Sequence, residues 1–110
     1  MIDKEKISLS VIIPCFNEEK TIQEVVKRIN YLGINNLEII IVDDGSTDGT
    51  NLKIEEIKNQ INVTHIKHSQ NRGKGAAIKT GINNVKNDIV IIQDADLEYN
   101  PNDYENLILP

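Results

Sequence analysis

Residues 37–44, with the sequence LEIIIVDD, decide the fold of this chain. The unbroken apolar run from Ile39 to Val42 is typical of a strand that is buried on both faces of a parallel sheet. Asp43 and Asp44 follow directly, and then comes the turn sequence GSTDG (45–49). A carboxylate placed behind four core residues is unfavourable unless a partner or a ligand compensates for its burial. The stretch therefore predicts a buried strand that ends at a functional edge.

Strands and amphipathic helices alternate along the rest of the chain. Strands are predicted over residues 9–14 (LSVIIP), 37–44, 62–68 (NVTHIKH) and 88–96 (DIVIIQDAD). The helices between them have their apolar faces at Ile22, Val25, Val26, Ile29 and Leu32, then at Leu52, Ile54, Ile57 and Ile61, and then at Ala77, Ile78, Ile82 and Val85. The order βαβαβαβ predicts an α/β fold, an open parallel Rossmann-like sheet with helices on both faces.

Composition limits the chain to one domain, residues 1–110, and narrows its partners. The 110 residues can bury a single core, and no apolar stretch reaches the roughly 18 residues of a membrane-spanning helix. A single cysteine, Cys15, and a start without the features of a signal peptide predict a cytoplasmic protein. The net charge of -5 argues against nucleic acid as a partner.

Polar residues follow every predicted strand. They are Asn17, Glu18 and Glu19 after the first, Asp43 and Asp44 after the second, Asn71, Arg72 and Lys74 after the third, and Asp94, Asp96 and Glu98 after the fourth. For any one group, a polar loop or a helix cap is a sufficient explanation. Because open α/β sheets bind ligands beyond the carboxyl ends of their strands, the four groups together favour a binding site.

Asp94 and Asp96 are candidate metal ligands. They are separated by one residue, so that in an extended segment both carboxylates point to the same side. Hard oxygen ligands suit Mg²⁺ or Mn²⁺, and these ions keep positions open for water and for substrate phosphates. Such an ion would allow an acidic chain to bind a diphosphate, with Arg72 or Lys74 adding positive charge.

Four segments resemble, in order and spacing, the donor half of family 2 glycosyltransferases. They are SVIIPCFNEEKTI (10–22), IIIVDDGSTDGT (39–50), NRGKGAAIKTGI (71–82) and DIVIIQDADLEYNPNDY (88–104). Within the family, they look most like the polyprenyl-phosphate sugar synthases, such as the dolichyl-phosphate mannose or glucose synthases. The resemblance implies a GT-A fold and a metal-dependent hexosyltransferase of glycan biosynthesis. It also implies a UDP- or GDP-sugar donor, polyprenyl (dolichyl or undecaprenyl) phosphate as the acceptor, and Mg²⁺ or Mn²⁺ as the cofactor.

The same resemblance implies roles for individual residues. Those implied to bind the nucleotide are Pro14, Asn17, Glu18, Asp43, Asp44, Arg72, Lys74 and Asp94. Within this set, either Asp43 or Asp44 is expected to accept a hydrogen bond from the base, because uracil and guanine both carry a ring N–H. The residues implied to hold the metal are Asp94, Asp96 and Glu98. No catalytic residue is identified.

Two alternatives stay open, a nucleotide-binding module without turnover and a phospho-accepting receiver domain of signalling. A receiver would account for Asp43 and Asp44 but not for Asp94 and Asp96. No acceptor-binding residue is identifiable, so the chain is expected to be the N-terminal part of a longer enzyme. We expect that enzyme at the cytoplasmic face of a membrane, which it would contact through its acceptor or its C-terminal region.

Three further residues are interpreted without a role in chemistry. His65 and His68 lie three apart on the third predicted strand, which places them on opposite faces, and both are expected at the surface. Cys15 follows a strand without a histidine in a nearby motif, so that it is expected to be a buried or rim thiol.

Overall fold

The computed structural model describes residues 3–96, which form one parallel sheet and the helices that cover it. The elements are β1 (Ser8–Cys15), α1 (Ile22–Tyr31), β2 (Asn36–Asp43), α2 (Thr50–Ile57), β3 (Thr64–Lys67), α3 (Lys74–Ile82) and β4 (Ile89–Ile92). The strand order is β3-β2-β1-β4, with every neighbouring pair parallel. This order is that of the first four strands of a Rossmann sheet. The predicted fold class and element order are therefore confirmed.

The register aligns the carboxyl ends of the central strands. Cys15 at the end of β1 is opposite Asp43 at the end of β2, and Asp43 is opposite Lys67 of β3. On the other side of β1, Ile12 is opposite Ile92, the last residue of β4. Strand order reverses between β1 and β4, because the chain leaves β1 toward β2 and β3 and returns to pair with its opposite side. Ligands bind at this kind of reversal in open α/β sheets.

Helices α1 and α2 cover one face of the sheet and enclose the larger core. Side chains of α1 and α2 pack against alternate residues of the strands, among them Leu9, Val11, Ile13, Ile39 and Ile41. All five are buried. The period of two along β1 and β2 thus provides a continuous apolar surface on this side.

Helix α3 covers the opposite face, over β1 and β2. Its buried residue Ala77 packs with Ile40 and Val42 of β2, and a Cβ built on Gly81 would lie 2.5 Å from Cγ2 of Ile12. Gly81 therefore allows α3 to approach β1 more closely than any larger residue would. The prediction that Ile82 lies on the buried face is wrong, because the helix presents Ala77 and Gly81 to the sheet and leaves Ile82 exposed.

Two further predictions need correction, one about the buried face of α2 and one about the length of the fourth strand. Leu52 is exposed, since α2 buries Thr50, Ile54 and Ile57 instead. The fourth predicted strand is shorter than expected, and it is an edge strand within residues 3–96. Ile91 is buried in the larger core, whereas Val90 and Ile92 alternate with it along the strand and are exposed. Among residues 3–96, no helix has the length and apolar character that crossing a bilayer requires.

Candidate functional site

A cavity of about 450 Å³ opens at the carboxyl edge of β1, β2 and β4. This volume is within the usual range for small-molecule sites. The cavity is lined by Pro14, Cys15, Phe16, Glu18, Asp44, Asn71, Gly73, Lys74, Ala77, Asp94, Ala95 and Asp96. Six of the predicted site residues are thus brought together, namely Pro14, Glu18, Asp44, Lys74, Asp94 and Asp96. Asn17, Asp43 and Arg72 are not among the lining residues, and Glu98 lies outside the described residues.

Asp43 does not line the cavity, and its carboxylate organises the loop between β2 and α2. Oδ2 accepts hydrogen bonds from the backbone N–H of Ser46 (3.0 Å) and from Nδ2 of Asn51 (3.2 Å). Oδ1 accepts one from the Ser46 hydroxyl and contacts Sγ of Cys15 at 3.8 Å. With Asp43 only 1% exposed, these contacts occupy both oxygens of the carboxylate. The hydrogen bonds from this loop therefore compensate for the burial of the Asp43 carboxylate.

Asp44 faces the cavity and connects β2 to the loop that precedes α3. Oδ1 accepts hydrogen bonds from Nδ1 of His68 (2.8 Å) and from the Arg72 N–H (2.9 Å), and Oδ2 accepts one from the Gly73 N–H (2.8 Å). Burial raises the pKa of this carboxyl, but the hydrogen bonds from His68, Arg72 and Gly73 outweigh that effect and hold the pKa below its ordinary value. Asp44 is therefore ionised and almost fully buried, and its carboxylate acts as a hydrogen-bond acceptor.

The loop between β1 and α1 is bound to the loop after β2. Asn17 has a left-handed backbone, with φ of 54°, and its Oδ1 accepts a hydrogen bond from the Thr47 N–H at 2.8 Å. The N–H of Glu18 donates to the Thr50 hydroxyl at 2.9 Å, and Oε2 of Glu19 accepts from the Gly49 N–H at 3.1 Å. The structure thus places Asn17 between two loops, while Glu18 reaches the cavity wall.

Two glycines, Gly45 and Gly73, allow the loops around the cavity to adopt a backbone with positive φ. Gly45 has φ of 79°, and a Cβ there would lie 2.6 Å from the backbone nitrogen of Asn71. Gly73 has φ of 98° and presents its N–H to Asp44 as α3 begins. Both positions favour glycine for its freedom at positive φ, and at Gly45 close packing of the backbone adds a second reason.

The acidic residues after β4 are more open to solvent. Oδ1 of Asp94 forms an ion pair with Nζ of Lys74 at 2.5 Å, and the side chain of Asp94 is 22% exposed. Asp96 is exposed and lines the same cavity. Within residues 3–96, no cluster of three or more His, Cys, Asp or Glu residues is arranged to hold a metal. Asp94 thus has a cationic partner, Lys74, that lines the same cavity.

The expectation that both histidines lie at the surface is wrong. The side chain of His65 is 1% exposed and contacts Glu55 and Asn51, while that of His68 is 5% exposed and contacts Asp44 and Thr80. They do lie on opposite faces, as the strand period predicted. Sequence reasoning therefore missed His68 as part of the site, although its position directly after β3 is the signal that could have identified it.

Cys15 is a buried thiol in the cavity wall, as expected. Burial, reinforced by the negative charge of Asp43, raises the pKa of this thiol far above its ordinary value. The thiolate is therefore disfavoured, which argues against a nucleophilic role.

Residues 10–110 match the family described as Glycosyl transferase family 2. The chain belongs to this family. Over 116 residues it is 39% identical to the dolichyl-phosphate beta-glucosyltransferase of Saccharomyces cerevisiae, covering 96% of this chain and 35% of the yeast protein. The fold is that of the GT-A glycosyltransferases.

Two solved structures of glycosyltransferases show the similarity of fold. The mannosyltransferase PcManGT from Pyrobaculum calidifontis, in complex with GDP-Man and Mn²⁺, aligns with a TM-score of 0.77 at 30% identity, over 87% of this chain and 30% of that one. S. aureus TarS 1-349 in complex with UDP-GlcNAc aligns with a TM-score of 0.80 at 26% identity, over 92% of this chain and 30% of that one. The chain spans between 30% and 35% of the length of the yeast protein and these two structures.

Membership of this glycosyltransferase family rules out the receiver alternative. The strand order agrees, because a receiver sheet places its third strand beside its first, whereas here β4 takes that position. The aspartates after β2 therefore belong to a chain of the glycosyltransferase family and not to a receiver.

Proposed function

We propose that this chain binds the nucleotide-sugar donor of a metal-dependent glycosyltransferase, with a UDP- or GDP-sugar as donor and polyprenyl phosphate as acceptor. The observation that carries the proposal is the cavity at the sheet reversal. There a buried carboxylate, Asp44, and two more open ones, Asp94 and Asp96, line the same space. Such a space offers a hydrogen-bond acceptor for a base at one end and hard ligands for a cation at the other.

At the buried end of the cavity, Asp44 is the stronger candidate to bind the base. It lines the cavity, whereas Asp43 does not, and Asp43 already has both oxygens engaged with its own loop. An ionised carboxylate gives a strong, charge-assisted hydrogen bond to a ring N–H. Pro14 and Glu18 would line the nucleoside pocket beside it. Asn17 would support that pocket from behind through its bond to the Thr47 N–H.

At the open end of the cavity, Asp94 and Asp96 would hold Mg²⁺ or Mn²⁺, with Glu98 as the third ligand. The carboxylate donor set fits a hard cation, which would replace the Lys74 ammonium on Asp94 or share the carboxylate with it. Such an ion neutralises the charge that develops on a diphosphate leaving group. Lys74 and Arg72 would add positive charge beside the phosphates, Lys74 from the first position of α3.

An acceptor that is already an anionic phosphate needs no protein base to deprotonate it. The similarity to the yeast dolichyl-phosphate enzyme supports polyprenyl phosphate as that acceptor. Such an acceptor would hold the enzyme at the cytoplasmic face of a membrane. Transfer depends on the positioning of two reactants, and this chain spans only 35% of the yeast protein, so that we expect it by itself to bind donor and to turn over at a negligible rate.

Calorimetric titration tests the proposed donor site. UDP and GDP are titrated separately into the chain in Mn²⁺ and in EDTA. We expect at least one of them to bind in Mn²⁺, and the affinity to fall by about tenfold or more in EDTA. Equal affinity in EDTA would exclude the metal, and lack of binding by both nucleotides would exclude the donor site.

A transfer assay tests whether these residues by themselves include an acceptor site. Labelled UDP-glucose or GDP-mannose is incubated with polyprenyl phosphate, Mn²⁺ and the chain. Lipid-linked product formed rapidly by these residues alone would show that an acceptor site lies within them. Binding without product is the expected result for this chain.

A further inference from the structure

We propose that His68 fixes the carboxylate of Asp44 so that only one hydrogen-bond position faces the base, which makes the pocket selective for uridine over guanosine nucleotides. This inference rests on the proposed donor site. GDP-Man and UDP-GlcNAc both occur among the similar structures, so that similarity by itself does not choose the base.

The carboxylate of Asp44 can accept only a limited number of hydrogen bonds. An ionised carboxylate has about four lone-pair positions, two on each oxygen. Within residues 3–96, Asp44 accepts three hydrogen bonds, two on Oδ1 from His68 and Arg72 and one on Oδ2 from Gly73. One position, on Oδ2, is left for a ligand. The small exposed fraction of Asp44, 3%, agrees with access by a single donor.

The two bases differ in the number of donors that they present to such a group. Uracil has one ring N–H, with a carbonyl on each side of it. Guanine has a ring N–H and, next to it, an amino group, a pair that suits a carboxylate with both oxygens available. With Oδ1 fully engaged, the guanine amino group would be desolvated without an acceptor on Asp44. An unsatisfied donor of this kind should weaken binding by about tenfold, which corresponds to about 1.4 kcal/mol.

His68 holds this arrangement in place from the side away from the cavity. Because a carboxylate only accepts, Nδ1 of His68 must carry the proton and donate to Oδ1. Nε2 lies 2.9 Å from the hydroxyl of Thr80 on α3, which fixes the plane of the ring. The side chains of His68 and Asp44 are each 5% exposed, so that water does not easily replace either partner. His68 is therefore a positioning residue that acts on the base through Asp44.

Three nucleotides test the selectivity without any substitution. UDP, GDP and inosine diphosphate are titrated into the wild-type chain in Mn²⁺. Inosine diphosphate has the size of GDP but lacks the amino group. We expect UDP to bind about tenfold more tightly than GDP, and inosine diphosphate to bind more tightly than GDP. Equal affinities for UDP and GDP, or a preference for GDP, would overturn the inference and leave the donor site standing.

Two other outcomes of this titration are informative. If inosine diphosphate binds as weakly as GDP, the pocket selects by ring size, and the proposed role of the second donor is wrong. If none of the three nucleotides binds, the proposed donor site fails together with this inference.

Variants at His68 test the positioning role. His68→Leu removes the side-chain contact that fixes the plane of the Asp44 carboxylate, so that Oδ1 can turn toward the base, and we expect the preference for UDP over GDP to fall from about tenfold to about twofold or less. His68→Asn keeps a donor close to the place of Nδ1, and we expect it to restore much of the preference. His65→Leu is the matched control, because it removes an equally buried histidine from the other face of the same segment.

If His68→Leu fails to fold, Thr80→Val gives the same information. It removes only the hydroxyl next to Nε2 and nearly preserves volume, so that the ratio of affinities should fall part of the way. An unchanged ratio in a folded His68→Leu or Thr80→Val chain would show that His68 does not position Asp44 for the base.

Discussion

The two pairs of acidic residues at the carboxyl edge of the sheet differ in what surrounds them. Asp43 and Asp44 after β2 are almost fully buried, and their oxygens accept hydrogen bonds from the neighbouring loops. Asp94 and Asp96 after β4 are more exposed to solvent, and Asp94 forms an ion pair with the flexible side chain of Lys74. The same residue type at the same edge therefore lies in two different environments, because β2 is a central strand and β4 is an edge strand within the described residues.

This difference shows how the fold divides the proposed work. A carboxylate fixed by backbone N–H groups can discriminate between ligands by geometry, because it does not reorient. A carboxylate in contact with solvent and a lysine can exchange one cation for another at small cost. Asp43 and Asp44 after β2 are thus suited to organising loops and binding a base, and Asp94 and Asp96 after β4 are suited to holding an ion.

The largest effect is expected when Asp43 is removed. Asp43→Ala leaves the Ser46 N–H and the Asn51 amide without their acceptor in a buried place, and should lower the free energy of unfolding by about 3 kcal/mol. Urea denaturation measures this loss. Asp88→Ala, at an exposed position, is the control and should change the value by less than about 0.5 kcal/mol. A loss for Asp43→Ala as small as that of the control would contradict the role given to Asp43.

Removing a carboxylate from the β4 pair should affect binding and not folding. Asp96→Ala is expected to weaken nucleoside diphosphate binding in Mn²⁺ by about tenfold or more, through loss of one hard ligand. Its unfolding free energy should stay within about 0.5 kcal/mol of wild type, because the side chain is exposed. Calorimetry with and without EDTA gives the first value and urea denaturation the second. Wild-type affinity in Mn²⁺ would remove Asp96 from the metal site.

The lowered pKa of Asp44 predicts how its contribution to stability depends on pH. A carboxyl whose pKa is lower in the folded than in the unfolded chain stabilises the fold above its unfolded-state pKa, and this contribution is lost as pH falls through the folded pKa. The stability difference between wild type and Asp44→Asn should therefore be constant above about pH 5 and shrink below about pH 4. Urea denaturation of both chains from pH 7 to pH 3 measures it. A difference that grows as the pH falls would reverse the assigned sign.

The smallest effect on stability is expected at Lys74. Its side chain is 60% exposed, so that Lys74→Met should change the free energy of unfolding by less than about 0.5 kcal/mol despite the short ion pair with Asp94. The same variant should weaken nucleoside diphosphate binding by roughly threefold, because a positive charge beside the phosphates is lost. Lys79→Met, on the same helix but outside the cavity lining, is the control. Equal binding by both variants would place Lys74 outside the phosphate site.

The sequence by itself determined the fold class, the order of the elements and the edge where the site lies. An apolar run such as Ile39–Val42 is favourable only when both faces of its strand are buried. Parallel strands bring their carboxyl ends to one edge of the sheet, whichever side chains pack around them. The family could also be predicted, because four motifs occur in order along the chain. These properties follow from local pattern and from chain connectivity.

Only the tertiary structure decided which polar residues share a pocket. Asp43 and Asp44 are neighbours in sequence, yet they point to different surroundings because side chains alternate along a strand. His68 enters the site through contacts with Asp44 and Thr80, which lie 24 and 12 residues away along the chain. Ile82 is exposed because Gly81 brings α3 down onto Ile12. Such contacts depend on how helices and loops meet across the sheet, and no local pattern encodes that geometry.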